Sequence, residues 1–351
     1  MFKNLFNIFS CDIGIDLGTA NTLVYVRGKG IVIDEPSVVA LSAHKEKKMV
    51  LAVGYEAKSM IGRTPSGIIA VRPMKDGVIA DFEVAEKMIE YFMKKSIIKA
   101  YGRRIFSKKR VVICIPYGAT LVDRRAIQEA VIVAGAKEVF LIEEPMAAAI
   151  GAGLDVVEAK GCMVVDIGGG TTEIAVIALG GIVFSQSIKV AGDKMDESIT
   201  SYIKDKFNLL IGEYSSERIK KEIGCAKILK NEKEDVICVK GRDIFRGIPK
   251  EITISQRELS ESLKGCINDI NSGIRSVLSN ISPELAADIS ENGIVLTGGG
   301  SCLKNISIAV SEDTGLSVRV ADDPLLCVVN GTGKVIEDMD RLSGVLCSLS
   351  I

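Results

Sequence analysis

Three short glycine-rich runs carry most of the chemistry this chain can do. They are Gly18-Thr19-Ala20-Asn21, Gly168-Gly169-Gly170-Thr171 and Gly298-Gly299-Gly300. Such a turn, placed after a strand, exposes backbone N–H groups that can close on phosphate oxygens. The first two runs each follow an aspartate, in Asp16-Leu17-Gly18 and Asp166-Ile167-Gly168. Two carboxylates beside phosphate loops suit Mg2+, which takes few protein carboxylates and fills its shell with water and phosphate oxygens. Glu144, in Glu143-Glu144-Pro145, is placed to orient a water for in-line attack on a γ-phosphate. No Gly-x4-Gly-Lys-Ser/Thr run occurs, which excludes a P-loop NTPase, and no Gly-x-Gly-x-x-Gly follows a strand. A single histidine, His44, leaves little room for a Ser-His-Asp triad or a His-rich metal site.

The elements that must position these residues occur twice. Ile13-Gly14-Ile15-Asp16-Leu17-Gly18-Thr19-Ala20-Asn21-Thr22 and Met163-Val164-Val165-Asp166-Ile167-Gly168-Gly169-Gly170-Thr171-Thr172 share one plan. Each is an aliphatic strand, Asp-x-Gly, a small turn and a second aliphatic strand, and so predicts a β-hairpin. A second block also repeats. The strand 111–116, a helix over 120–134 that stops at Gly135, the strand 138–142, Glu143-Glu144-Pro145 and a small-residue helix form the first copy. The strand 293–296, a helix reaching Gly315, the strand 317–320, Asp322-Asp323-Pro324 and a small-residue helix to Gly333 form the second. The stop glycines stand 180 positions apart and the prolines 179. Duplication predicts two similar α/β lobes with the ligand in the crevice at the strand ends.

Composition bounds the class. The chain has 351 residues, enough for two domains or one bilobed body, with 47% apolar and 25% charged residues. A net charge of −1 gives no electrostatic footprint for nucleic acid. Mean hydropathy is high at +0.28, yet apolar runs such as 174–184 fall far short of the roughly 20 residues that span a bilayer. Nine scattered cysteines without a Cys-x-x-Cys read as buried thiols in a reducing cytosol. The first residues lack the pattern of a secretory leader.

These motifs resemble the phosphate, connecting and adenosine motifs of the actin, Hsp70 and sugar-kinase superfamily. Over nearly its whole length the chain resembles the MreB family of bacterial actins. The stretches that carry the likeness are residues 13–22, 141–151, 164–173, 296–301 and Arg72-Pro73-Met74-Lys75-Asp76-Gly77-Val78-Ile79-Ala80-Asp81, the last not shared by Hsp70 or sugar kinases. The resemblance implies an α/β, duplicated actin-like (ribonuclease H-like) ATPase fold: two lobes, each a mixed sheet flanked by helices, in four subdomains. Subdomain IA would take 1–39, 73–158 and 328–351; IB, 40–72; IIA, 159–194 and 258–327; IIB, 195–257. It also implies ATP held by Thr19, Ala20 and Asn21, by Gly169, Gly170 and Thr171, by Glu217, Arg218, Ile219 and Lys220, and by Thr297, Gly298, Gly299 and Gly300. Mg2+ would sit by Asp16 and Asp166, mostly through water. Glu144, helped by Thr171, would be the catalytic residue of a slow hydrolysis. The implied protein is cytoplasmic and peripheral at the inner face of the cell membrane. It forms filaments of paired protofilaments, controls cell shape and works with the elongation machinery that organises peptidoglycan synthesis. Two rival readings remain: a small-molecule kinase of the same superfamily, and a scaffold that binds ATP without hydrolysing it.

Two segments suit a membrane surface. Phe2, Leu5, Phe6 and Phe9 form one helical stripe, too short to be stable in water without a surface to order it. Ile105-Phe106 is an apolar pair inside a stretch, 94–110, with eight basic residues and no acidic one, and cations near an anionic leaflet each contribute about 1 kcal/mol. The alternatives are a stripe docked on the protein's own body and a solvated basic loop.

Overall fold

The structure is a computed structural model that describes residues 10–42, 49–102, 108–230 and 232–347. Phe2, Leu5, Phe6, Phe9, Ile105 and Phe106 lie outside the described residues.

The first lobe opens with β1 (Ser10–Leu17), β2 (Asn21–Val26) and β3 (Gly30–Pro36), an antiparallel meander. A small antiparallel sheet of β4 (Val39–Ser42), β5 (Met49–Val53) and β6 (Ile68–Val71) follows, with α1 (Tyr55–Met60) between its last two strands. A short hairpin, β7 (Met74–Lys75) and β8 (Val78–Ile79), leads to α2 (Phe82–Tyr101), β9 (Lys108–Ile115), α3 (Leu121–Val133), β10 (Glu138–Glu143) and α4 (Glu144–Gly151). The main sheet has the order β10-β9-β1-β2-β3, with β9 parallel to both β1 and β10.

The second lobe repeats the plan. A meander of β11 (Cys162–Ile167), β12 (Thr172–Ala178) and β13 (Gly181–Ile188) is followed by α5 (Gly192–Phe207). Next come β14 (Leu209–Leu210), α6 (Glu213–Ile223), β15 (Val236–Asp243) and β16 (Pro249–Ser255), whose strands form a second small sheet. The long α7 (Gln256–Ser279), α8 (Pro283–Asn292), β17 (Ile294–Thr297), α9 (Ile306–Thr314), β18 (Val318–Val320) and α10 (Cys327–Glu337) complete the described elements that build the lobe. Its sheet order, β18-β17-β11-β12-β13, reproduces the first strand for strand and in the same senses. The two similar α/β lobes expected from the repeats are therefore observed.

Near-continuous apolar strands arise because both faces of each sheet are covered. Side chains alternate between faces with period two. On β9, Val111, Ile113 and Ile115 enter the core beneath α2 and α3, while Val112 and Cys114 enter a central core containing α4 and α10. On β11, Met163, Val165 and Ile167 meet the helices α5, α7, α8 and α9, while Cys162 and Val164 reach the same central core. The layers thus run helix, sheet, helix pair, sheet, helix.

The central helix pair is held by backbone contact. A methyl added to Gly151 would lie 1.7 Å from the Cys327 carbonyl oxygen, and one added to Gly331 would lie 1.9 Å from that of Ala147. Gly151 and Gly331 are equivalent positions in the duplication, as are Ala147 and Cys327, so one contact is made twice about a local two-fold axis. Overpacking a core typically costs about 1–3 kcal/mol. Gly331→Ala should lower the unfolding free energy by at least about that amount, measured from the midpoint of urea unfolding. Gly265→Ala, in α7 where an added methyl meets nothing within 4 Å, should raise it by about 0.5–1 kcal/mol.

Candidate functional site

A cleft of about 490 Å3 opens between the lobes at the strand ends. The β1–β2 and β11–β12 turns form its floor from opposite sides. They touch: a methyl on Gly169 would lie 2.7 Å from the Ala20 side chain, and one on Gly170 would lie 2.8 Å from Thr19 Oγ1. The β7–β8 hairpin buttresses the contact, because the Gly77 N–H donates to Thr19 Oγ1 at 3.1 Å. The sequence-predicted residues Asp16, Thr19, Ala20, Asn21, Glu144, Asp166, Gly169, Gly170 and Thr171 all line this cleft, together with Gly298, Gly299 and Gly300.

Thr297 is fully buried and does not face the cleft; its hydroxyl donates to Asp166 Oδ1 at 2.9 Å and so holds that carboxylate. The four consecutive residues of α6 divide, since neighbours on a helix point about 100° apart. Glu217 and Lys220 line the cleft. Ile219 is fully buried in the core of the second lobe, beside Ile223, so its side chain cannot be a nucleotide contact. Arg218 is half-buried outside the cleft lining and pairs with Glu222 at 3.3 Å.

The polar rim was not legible in the motifs. Lys58 on α1 crosses the cleft to Glu217 at 2.7 Å, and Arg72 pairs with Glu213 on α6. Lys220 binds Asp196 Oδ2 at 2.8 Å and the Gly192 carbonyl at 2.7 Å. Burial alone would raise the pKa of Glu217, but hydrogen bonds from Lys221 and Lys58, with their charges, bring it down to about 2.

The floor is electrostatically the reverse. Burial, then the charges of Asp166 and Asp34, pushes Asp16 up to about 8. Burial lifts Asp166 to about 6 despite the Thr297 bond. Burial, then Glu173, Asp16 and Asp166, raises Glu144 well above the usual carboxylate range. Burial raises Glu173, which follows the second loop and does not line the cleft, to about 7 against the hydrogen bond from Ser187. Among the described residues neither Asp16 nor Asp166 forms an ion pair. A buried Asp166 and a half-buried Asp16 without a counter-charge fit a divalent cation. No group of three or more such protein ligands gathers among the described residues, so phosphate and water would have to complete the ion's shell.

Two duplicated lobes closing phosphate-type loops over a shared cleft define the actin-like class of fold. The chain belongs to the MreB/Mbl family, whose model, described as MreB/Mbl protein, matches residues 10–344. It is 52% identical to the cell shape-determining protein MreB of Escherichia coli strain K12 over 350 residues, 99% of each chain. The structure of MreB5 of Spiroplasma citri bound to AMPPNP superposes with a TM-score of 0.88 at 37% identity, covering 95% of this chain and 97% of that one. The MamK double helical filament shares the fold with a TM-score of 0.77 at 22% identity, over 93% and 99% of the two chains.

Because the folded pKa of Glu217 lies below its unfolded value, its ion pairs contribute stability above about pH 4.5 that is lost as pH falls towards 2. Lys58→Ala should raise the Glu217 pKa part of the way back, measured by NMR titration of the side-chain carboxyl, and flatten the acid limb of the stability curve.

Proposed function

We propose that this protein is an actin-like ATPase that assembles into membrane-associated filaments and acts in cell-shape control. The observation that carries the reading is the pair of touching loops, each with its aspartate, converging with Glu144 on one cleft between duplicated lobes. Nucleotide-bound relatives of the same fold support it.

In this reading Thr19, Ala20 and Asn21 meet the phosphates from one lobe and Gly169, Gly170 and Thr171 from the other, so ATP favours the closed form by binding both. Glu217 and Lys220 face the ribose and base from one wall, and Gly298, Gly299 and Gly300 lie under the adenosine. Asp16 and Asp166 would hold Mg2+, which neutralises charge on the β- and γ-phosphates. Glu144, the first residue of α4, accepts a hydrogen bond from the attacking water, and Thr171 steadies that water from the other lobe. The water oxygen bonds to the γ-phosphorus as the bond to the β-phosphate oxygen breaks. The electron pair leaves on ADP, and the water proton ends on phosphate or solvent. Slow turnover would time filament disassembly.

Self-association into paired protofilaments follows the family reading. The stripe of Phe2, Leu5, Phe6 and Phe9 and the pair Ile105-Phe106 would attach the filament to the inner face of the membrane, where many weak anchors act together. Partners would come from the cell-elongation machinery, with peptidoglycan synthesis as the process organised. The boundaries of subdomains IA, IB, IIA and IIB given above fit this use, the two small sheets forming the outer arms.

Glu144→Ala should reduce ATP turnover by at least about a hundredfold while nucleotide affinity stays near the parent value, measured by phosphate release and by binding of a fluorescent ATP analogue. Unchanged turnover would remove Glu144 from its role. On anionic liposomes with Mg·ATP, electron microscopy should show membrane-bound paired filaments. Deleting residues 2–9 should weaken lipid binding in a flotation assay and leave polymerisation intact.

A further inference from the structure

Asp196 is a carboxylate of the cleft wall to which neither the motifs nor the family likeness gives a task. It stands near the start of α5 and is 7% exposed. Its Oδ2 accepts a hydrogen bond from Lys220 Nζ on α6 at 2.8 Å, while its Oδ1 is sealed from solvent and has no hydrogen-bond partner. A buried oxygen without a partner costs folding free energy, and so does burying an ion pair. The worth of the residue lies in the group that its other oxygen holds. An ammonium has three N–H donors. Lys220 spends one on Asp196 and a second on the Gly192 carbonyl at 2.7 Å. Gly192 opens α5 and is pressed from both sides, since a methyl there would lie 3.3 Å from Lys220 Nζ and 3.3 Å from the Gly168 carbonyl oxygen. The Gly192 N–H donates to the Gly168 carbonyl at 3.1 Å, and the Asp193 N–H to the Gly169 carbonyl at 2.8 Å. In a trans peptide the N–H points opposite to the carbonyl. Both carbonyls are fixed on α5, so the N–H groups of Gly169 and Gly170 point away from it. One chain of hydrogen bonds thus runs from α6, beside Glu217, through Lys220 and the first turn of α5 to the second glycine loop.

We propose that Asp196 is a positioning residue for hydrolysis, which holds Lys220 against the Gly192 carbonyl and so sets the aim of the Gly169 and Gly170 N–H groups on the phosphates. A lysine ammonium is a point charge on a flexible stem. One acceptor lets it swing, and two fix it in place. With Lys220 fixed, the first turn of α5 is clamped between the lysine and the loop. Without Asp196 the ammonium is free to leave Gly192, the clamp loosens, and the loop donors drift from the γ-phosphate they stabilise during transfer. The same brace joins the wall that faces the ribose to the loop that faces the phosphates, so one rigid unit holds both ends of the nucleotide.

This inference rests on the hydrolytic reading above, so the test separates the two. Phosphate release from Mg·ATP by the full-length protein is measured for the parent, Asp196→Ala, Lys220→Ala and the double variant, each well below its unfolding temperature. Misplacing groups around a reacting centre typically costs up to about a hundredfold. Asp196→Ala should therefore lower kcat by about ten- to a hundredfold with KM within about threefold. Because Asp196 acts through Lys220, the double variant should be no slower than Lys220→Ala alone. A raised KM at unchanged kcat would mean that the pair serves only uniform binding of the nucleoside. A lower unfolding temperature with parent-like kcat would mean that it only stabilises the fold. Either result, or losses that multiply in the double variant, would overturn the proposal. Asp196→Asn covers the case in which Asp196→Ala fails to fold. It keeps an acceptor for Lys220 and gives up the charge, so kcat should fall by a smaller factor at unchanged KM, and an unaltered kcat would count against the proposal. A parent protein that binds ATP and releases no phosphate would refute the hydrolytic reading itself and this inference with it.

Discussion

Where Gly151 meets the Cys327 carbonyl and Gly331 meets that of Ala147, two helix backbones leave no room for a single methyl group. Everything else in the molecule is spaced from this contact. The small residues of α4 and α10 let the two sheets approach from opposite sides, and that approach brings the β1–β2 and β11–β12 turns into contact. Glu144 begins α4, so the helix that sets the spacing also delivers the carboxylate to the cleft. The partial positive charge of the α4 N-terminus favours that carboxylate there.

The floor of the cleft works against the stability of the empty protein. Asp16, Glu144, Asp166 and Glu173 all have pKa values raised by burial, which hydroxyls such as Thr297 and Ser187 offset in part. Close-packed apolar layers on both sides of each sheet hold these groups together against their repulsion. Such a floor gains most from a ligand that brings positive charge with it. That is the physical reason a metal–nucleotide complex, rather than a bare phosphate, suits the cleft.

Much of this was legible because it is local and repeated. A hairpin with Asp-x-Gly at its tip declares itself within about twelve residues, and the offset of 180 positions between stop glycines matched the offset later found at the helix crossing. The α6 residues were only half legible. Four consecutive positions were assigned to a ligand, but Ser216, Ile219 and Ile223 recur at helical spacing on the buried face, and that spacing alone argued against Ile219. The Lys58–Glu217 pair joins residues 159 positions apart, and no local pattern reports such a partner. Glu173 was hidden for a different reason. One acidic residue in an apolar strand looks like a solvent-facing position, and only the second covered face of the sheet makes it a buried one.

The two ends of the cleft are joined by different kinds of force. At the rim the lobes meet through ion pairs, Lys58 with Glu217 and Arg72 with Glu213. At the pivot they meet through apolar side chains and backbone. Added salt weakens the first in part, since pairs in contact lie well inside the screening length of about 8 Å at physiological ionic strength, and leaves the second nearly untouched, whereas cooling weakens the second. Salt and temperature therefore pull on opposite ends of one lever: ionic strength governs how readily the mouth gapes, and temperature governs how firmly the lobes share an axis to turn about.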